Sequence, residues 1–525
     1  MNRKERRAAT KNQKISRSNG VDQLTVAVGH HQAGRLKEAE SLLRRIIEVA
    51  PTTIDAFFLR GVVLDDMHRA AEAAACFLHV LEAQPAHADA HNNLGIAYRS
   101  LGQWEAAAAS FSKAIKYEPD FAEALVNYGN ALRELGRPDE AINYCMKAAQ
   151  LAPVSPEIQC NAGTVFRDLG RLDEAIRMFR HAVMLKPDHP IVHLNLALAL
   201  LARGEMLSGW YEYEWRWQCP WAAADRRHQQ RPRWTGEPGQ GQILLIYSEQ
   251  GFGDTLQFCR YAPLAAALGF RVILEVQLPL VRLLGCLPGV EQVIARGERL
   301  PDFDLQIPML SLPGVFKTTL DNMPSAAPYL HADAAKIAGW RTKLKAIGGS
   351  AKRVGLVWAG QARPHDPTLA LIDKRRSVAP ELLAPLLEVP GLHFFSLQKD
   401  GPMMPAGQPL TDFMSEVIDF ADTAALIASL DLVISVDTAV LHLAAALGKP
   451  VWLLDRFDPC WRWLTKRTDS PWYPTVRIFR QQQPGDWQGA VANVRDCLQQ
   501  GLFVEENPMP DNQTNVMIQP TTLRN

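Results

Sequence analysis

The sequence predicts a helical repeat array followed by two doubly wound, Rossmann-like units, an α plus α/β architecture, and three observations carry that expectation. Prolines recur at Pro51, Pro85, Pro119, Pro153 and Pro187, each 34 residues after the last. From about residue 240, short apolar runs alternate with helical segments. The stretch 431–454, DLVISVDTAVLHLAAALGKPVWLL, reads as strand, tight turn, helix and strand. Ligands of such βαβ units sit beyond the strand carboxyl ends, where a helix N-terminus offers free N–H groups.

The repeat register is populated at several positions. Gly61, Gly95, Gly129 and Gly163 share one, Ala39, Ala73, Ala107, Ala141 and Ala175 a second, and Phe77, Phe111, Cys145 and Phe179 a third. Small residues let paired helices approach, large apolar ones fill the gap, and proline ends each second helix. This pattern resembles the tetratricopeptide family. The resemblance implies five full repeats and a capping unit over residues 21–218, with SGWYEYEWRWQCPW clamping the array to the C-terminal half of the chain. Such arrays hold a protein or peptide partner in a groove. Asn92, Asn93, Asn127 and Asn161 stand at or near one register position; they either bond a peptide backbone or satisfy helix ends. The groove is expected to be remote from the catalytic cleft.

Composition narrows the partners. Lys plus Arg and Asp plus Glu both number 56, so no charge excess argues for nucleic acid. Eight scattered cysteines without a Cys-x-x-Cys spacing signal neither zinc nor a disulfide framework, and suit a reducing, cytoplasmic location. No apolar run is long enough to span a bilayer. Residues 1–20 carry seven basic side chains and read as a disordered leader; residues 502–525, polar and aperiodic, read as a disordered tail.

After a Pro- and Gly-rich linker, 219–241, strands are expected at Ile243–Tyr247, Val272–Val276, Val290–Ile294 and Leu305–Ile307, within a first unit over 242–345. A helix from Asp333 to Lys345 crosses to a second unit, 346–501, with strands Arg353–Trp358, Leu392–Leu397, Leu432–Val436, Val451–Leu454 and Val476–Phe479. The loop EQGFGDT follows the first strand, with Asp254 as the expected helix cap.

EQGFGDTLQF, GLVWAG, KRRS, FFSLQK, SVDTAVLHLAAALGKP and DPCWRWL with DSPWYPTVRIFR together resemble the glycosyltransferases related to bacterial heptosyltransferases, family nine, of the GT-B fold. Joined to the repeats, the layout is similar to that of the O-linked N-acetylglucosamine transferases. The resemblance implies a nucleotide-sugar donor as substrate, no cofactor, and Asp254 as the base for the acceptor hydroxyl. It assigns Gly253, Asp437, Thr438 and His442 to the site, although Ala439 stands where many relatives have glycine. Lys374, Arg375 and Arg376 precede Ser377, expected to cap the next helix; they are either a second phosphate contact or a solvated charge run. Gln398 and Lys399 either touch the ribose or base or lie on the surface. Trp461, Arg462 and Trp463 either stack on a ring or clamp a phosphate, or the two tryptophans pack in the core. Without an Asp-x-Asp signature, metal-independent transfer is expected, with cations and helix N-termini stabilising the diphosphate. A scaffold whose sheet units only bind, and transfer to a glycan instead of a protein, are the alternatives.

Overall fold

The computed structural model describes residues 23–361 and 367–502. The leader lies outside these residues, as does all but the first residue of the expected tail.

Six helix pairs form the N-terminal solenoid, from residues 23–32 with Leu36–Val49 to Pro190–Arg203 with Met206–Tyr213. Their spacing is set by the small–large pairs of the repeat. A methyl built on Gly61, Gly95 or Gly163 would lie 2.6, 2.5 or 2.7 Å from the ring of Phe77, Phe111 or Phe179. At Gly129 the opposing side chain is Cys145, with Sγ 2.3 Å from that position, so a smaller partner seats more closely. Along the array, Asn127 donates to Asn92 (3.1 Å) and Asn130 to Asn161 (3.1 Å). Asn92, Asn127 and Asn161 therefore bond within a side-chain ladder between repeats.

Two parallel sheets follow. The first holds β1 (Ile243–Tyr247), β2 (Arg271–Val276), β3 (Val290–Ala295) and β4 (Leu305–Pro308), in the order β3-β2-β1-β4. The second holds β5 (Lys352–Val357), β6 (Leu392–Ser396), β7 (Leu410–Asp412), β8 (Leu432–Val436), β9 (Val451–Asp455) and β10 (Val476–Arg480), in the order β10-β9-β8-β5-β6-β7. Every pairing is parallel. Strand order reverses beside β1 in the first sheet and between β5 and β8 in the second, which puts crevices at the carboxyl ends of those strands. The crossing helix is present at Ala334–Gly348, capped by Asp333, whose carboxylate accepts from Lys336 N (2.8 Å).

The aromatic segment does clamp the solenoid to both sheets. Trp210 donates to Thr318 O (2.9 Å) and meets Trp461 and Trp472 edge to face. Arg216, 1% exposed, makes two hydrogen bonds to Glu249 (2.9 and 2.8 Å) and one to Ser311 (2.8 Å). Leu172, Ala197, Leu201 and Ala202 of the last repeats belong to one continuous core with β1, β2 and the face of the second sheet carrying Val433 and Leu453. The last repeats are thus part of the core of the sheet units.

Candidate active site

The loop after β1 turns tightly into the helix Phe252–Phe258, with Gln250 at φ +60° and Gly251 as N-cap. Asp254 is not the cap that the sequence suggests. It stands three residues inside, and its Oδ2 accepts from Gly251 N (3.0 Å), so it returns a hydrogen bond to the cap residue. Its Oδ1 accepts from Arg462 of the second unit, and Arg462 also donates to Gln257 Oε1 (2.6 Å). The guanidinium lies 4.4 Å from the Trp461 ring centre. Trp461 and Trp463 are buried, so they support Arg462 from the core and offer no exposed ring for stacking.

The second turn is built from β8 and the helix Ala439–Ala446. Thr438 is the N-cap by position but makes no side-chain cap bond; its hydroxyl pairs with Ser435 Oγ (3.1 Å). His442, one turn in, is fixed by Tyr473 OH at Nδ1 (2.9 Å), and its Nε2 lies 3.7 Å from Asp437 Oδ1. Burial pushes the Asp437 carboxyl up, but His442, Arg462 and Arg376 outweigh it and hold it down at about 2. Asp437 is thus an anion at neutral pH.

These two turns meet. Gly253 faces His442 and Ala439: a methyl on Gly253 would stand 2.9 Å from His442 Cδ2 and 3.6 Å from Ala439 Cα. Asp254, Asp437, His442 and Arg462 are brought to one place from three segments of the chain.

The arginine run lies elsewhere in its element than expected. Lys374, Arg375 and Arg376 form the last turn of the helix Pro367–Arg376, where cations suit the negative end of the dipole. Ser377 caps no helix; its hydroxyl donates to Asp373 O (2.6 Å) and accepts from Gly360 N (3.3 Å). Arg376 NH1 donates to the backbone oxygen of Asp437 (3.1 Å), which brings that cation to the β8 turn. Lys374 is exposed, and Arg375 points toward the solenoid. Gln398 accepts from Trp358 N and Ala359 N (3.1 and 3.0 Å) and donates to Ala359 O (3.0 Å), bracing the ends of β5 and β6. Lys399 is exposed, with Nζ 3.4 Å from Val417 O and Ile418 O.

Sequence reasoning missed the buried partners Tyr473, Gln257 and Glu249. Only Glu249 carried a local signal, as the acid opening the EQGFGDT loop. Among the described residues no group of three or more His, Cys, Asp or Glu side chains is arranged to hold a metal ion, and no helix is long and apolar enough to cross a membrane.

Comparison with known proteins finds family models that match stretches of both the solenoid and the second sheet unit. Tetratricopeptide-repeat models match residues 27–45, 58–115, 93–156 and 163–204. The model for glycosyltransferase family 9 (heptosyltransferase) matches residues 417–454, the span containing β8, the Asp437 turn and all but the last residue of β9. Protein FlbA of Caulobacter vibrioides is 28% identical over 334 residues, covering 58% of this chain and 54% of that protein, so the chain spans about half the length of the curated relative it matches. Among solved structures, a thermophilic tetratricopeptide protein of Thermus thermophilus is 22% identical over 35% of this chain and 99% of its own, with a TM-score of 0.31. YrrB, a tetratricopeptide protein with an unusual peptide-binding site, is 19% identical over 35% of this chain and 94% of its own, with a TM-score of 0.29. The chain thus carries tetratricopeptide repeats in its N-terminal part and, in its second sheet unit, a stretch similar to glycosyltransferase family 9.

Proposed function

We propose that the protein is a metal-independent glycosyltransferase of GT-B type, in which the 346–501 unit binds a nucleotide-sugar and the 242–345 unit receives the acceptor, a protein engaged by the repeats. The observation that carries this reading is the meeting of the β1 and β8 turns, which sets Asp254 on one side against Asp437, His442 and the arginines on the other. The family 9 match over 417–454 supports the donor assignment.

The chemistry asks for a proton acceptor and for positive potential. A carboxylate takes the proton of the acceptor hydroxyl as its oxygen bonds to the anomeric carbon, and the sugar–phosphate bond breaks with its electron pair leaving on the diphosphate. Arg376, Arg462 and the N-terminus of the helix Ala439–Ala446 supply the positive potential. Arg376 Nε is buried without a hydrogen-bond partner among the described residues, and a phosphate oxygen would supply what it lacks. Asp254 is held by Arg462, and a diphosphate is the anion that competes for that guanidinium. Donor binding then frees the carboxylate to act as base.

The test is donor turnover by the full chain across uridine, guanosine and adenosine diphosphate sugars, with and without a chelator. Turnover of one donor, insensitive to chelation, is expected. Activity that disappears with chelator and returns with magnesium or manganese contradicts the cation-only account of the leaving group.

A further inference from the structure

The turn holding Arg376 is held from its other side by the solenoid. Arg375 and Arg376 are consecutive on a helix, so their side chains leave it about 100° apart and cannot share a target. Arg376 reaches the Asp437 carbonyl. Arg375 turns the opposite way, to Glu134 (3.9 Å) and Asp168 (3.8 Å) at the C-terminal ends of the solenoid helices Ala122–Glu134 and Pro156–Asp168, and to Asp458 (3.5 Å). Asp168 is itself fixed by Arg133 (2.8 Å) and Arg167 (3.1 Å), and Arg133 also pairs with Glu134. The side chains of Glu134 and Asp168 are only 7% and 8% exposed, so these charges act through little water.

The repeat register sharpens the point. Residues 133–134 and 167–168 occupy one position in successive repeats, and both are an arginine followed by an acid. In the same register the earlier repeats have His31–Gln32, Asp65–Asp66 and Arg99–Ser100, and the last has Leu201–Ala202. Among the described residues the arginine–acid pair therefore occurs in the two repeats whose acids lie within 4.0 Å of Arg375 and in no other. Repeat packing accounts for part of this pattern, since His31–Asp66 and Arg133–Asp168 join successive repeats in the same way, but among the described residues Glu134 pairs only with Arg133 of its own repeat and with Arg375.

Resting on the donor reading above, we propose that Glu134 and Asp168 are positioning residues for the donor site: by holding Arg375 they fix the 374–377 turn, and so hold Arg376 against Asp437. The repeats then do more than recruit an acceptor, because two of them complete the frame of the nucleotide-sugar site.

The test measures the affinity of full-length protein for uridine, guanosine and adenosine diphosphate by calorimetry, in wild type, Glu134→Gln/Asp168→Asn, Arg375→Gln, and the triple variant. Asp66→Asn, an acid of the same register away from Arg375, is the control for a general effect on the solenoid. We expect the acid double variant and Arg375→Gln each to weaken binding about tenfold, the triple variant to be no worse than either, and Asp66→Asn to bind as wild type does. Arg375→Gln keeps the inference testable where the double variant does not fold. Wild-type affinity in Arg375→Gln, or an equal loss in Asp66→Asn, overturns the positioning role alone. Failure of the wild type to bind any of the three nucleotides overturns the donor reading and this inference with it.

Discussion

Gly253 and His442 stand so close that a methyl group on the former would lie 2.9 Å from Cδ2 of the latter, across the junction of the two sheet units. The imidazole cannot swing aside freely, because Tyr473 OH holds its Nδ1 at 2.9 Å. Gly253→Ala should therefore cost about 1–3 kcal/mol, the usual cost of overpacking. Adding His442→Ala should recover part of it, leaving the double variant about 0.5–3 kcal/mol more stable than the sum of the singles. Denaturant midpoints check this; strict additivity would show that the turns do not touch.

Asp437 ties stability to pH. Its folded carboxyl titrates at about 2 against an ordinary 3.8, so its contribution is complete above 3.8 and is lost as pH falls toward 2. The shift corresponds to about 2 kcal/mol at neutral pH. The stability difference between wild type and Asp437→Asn should be widest above about pH 5 and close toward pH 2. A gap that stays constant over urea titrations across that range would contradict the paired anion.

Asp254 and Arg462 form an ion pair between the units, with side chains 18% and 11% exposed. Asn at 254 can still accept from Gly251 N but leaves Arg462 without its counter-charge, at a cost of about 1–3 kcal/mol. If Asp254 is also the base, turnover in the variant should drop about 10²–10⁴-fold while the nucleotide diphosphate still binds. Near-normal transfer by Asp254→Asn would end the base assignment and make Asp437 the next acid to test.

Much of the architecture is legible in the sequence, and the limits have physical causes. The repeats announce themselves because each helix pair needs the same small–large contact, as at Gly95 and Phe111. Nine of the ten strands are readable as apolar runs; β7, three residues at a sheet edge, has no such run. His442 falls in the turn because it lies four residues after Thr438. The Asp254–Arg462 pair joins residues 208 apart in sequence, and no periodicity reaches that far. The cap expected at Ser377 fails because the helix before it, ending at Arg376, has no clear apolar stripe to announce it; the hydroxyl is spent on Asp373 O. The docking of Arg375 on the solenoid is invisible for the same reason as the Asp254 pair.

Removing residues 1–205 should damage the sheet units as well as the groove. The cut discards Leu172, Ala197, Leu201 and Ala202 from the shared core, and Glu134 and Asp168 from the Arg375 contacts. Each buried leucine lost costs about 2–5 kcal/mol, against a total stability of about 5–15 kcal/mol. The fragment is expected to lose its cooperative unfolding transition. A fragment with a sharp transition near the wild-type temperature would mean the solenoid is separable after all.

If the β5 and β8 ends form a nucleotide-sugar site, the intact protein binds such a ligand. Thermal unfolding of the full chain with a panel of nucleotide-sugars should show stabilisation by at least one of them, about 2.7 kcal/mol at 100 times its dissociation constant. The same ligand should lose most of that effect on Thr438→Val and Arg376→Gln, since a hydrogen bond to a charged phosphate contributes about 1.5–3 kcal/mol. Absence of any shift across the panel, or a shift of equal size in both variants, would contradict the account.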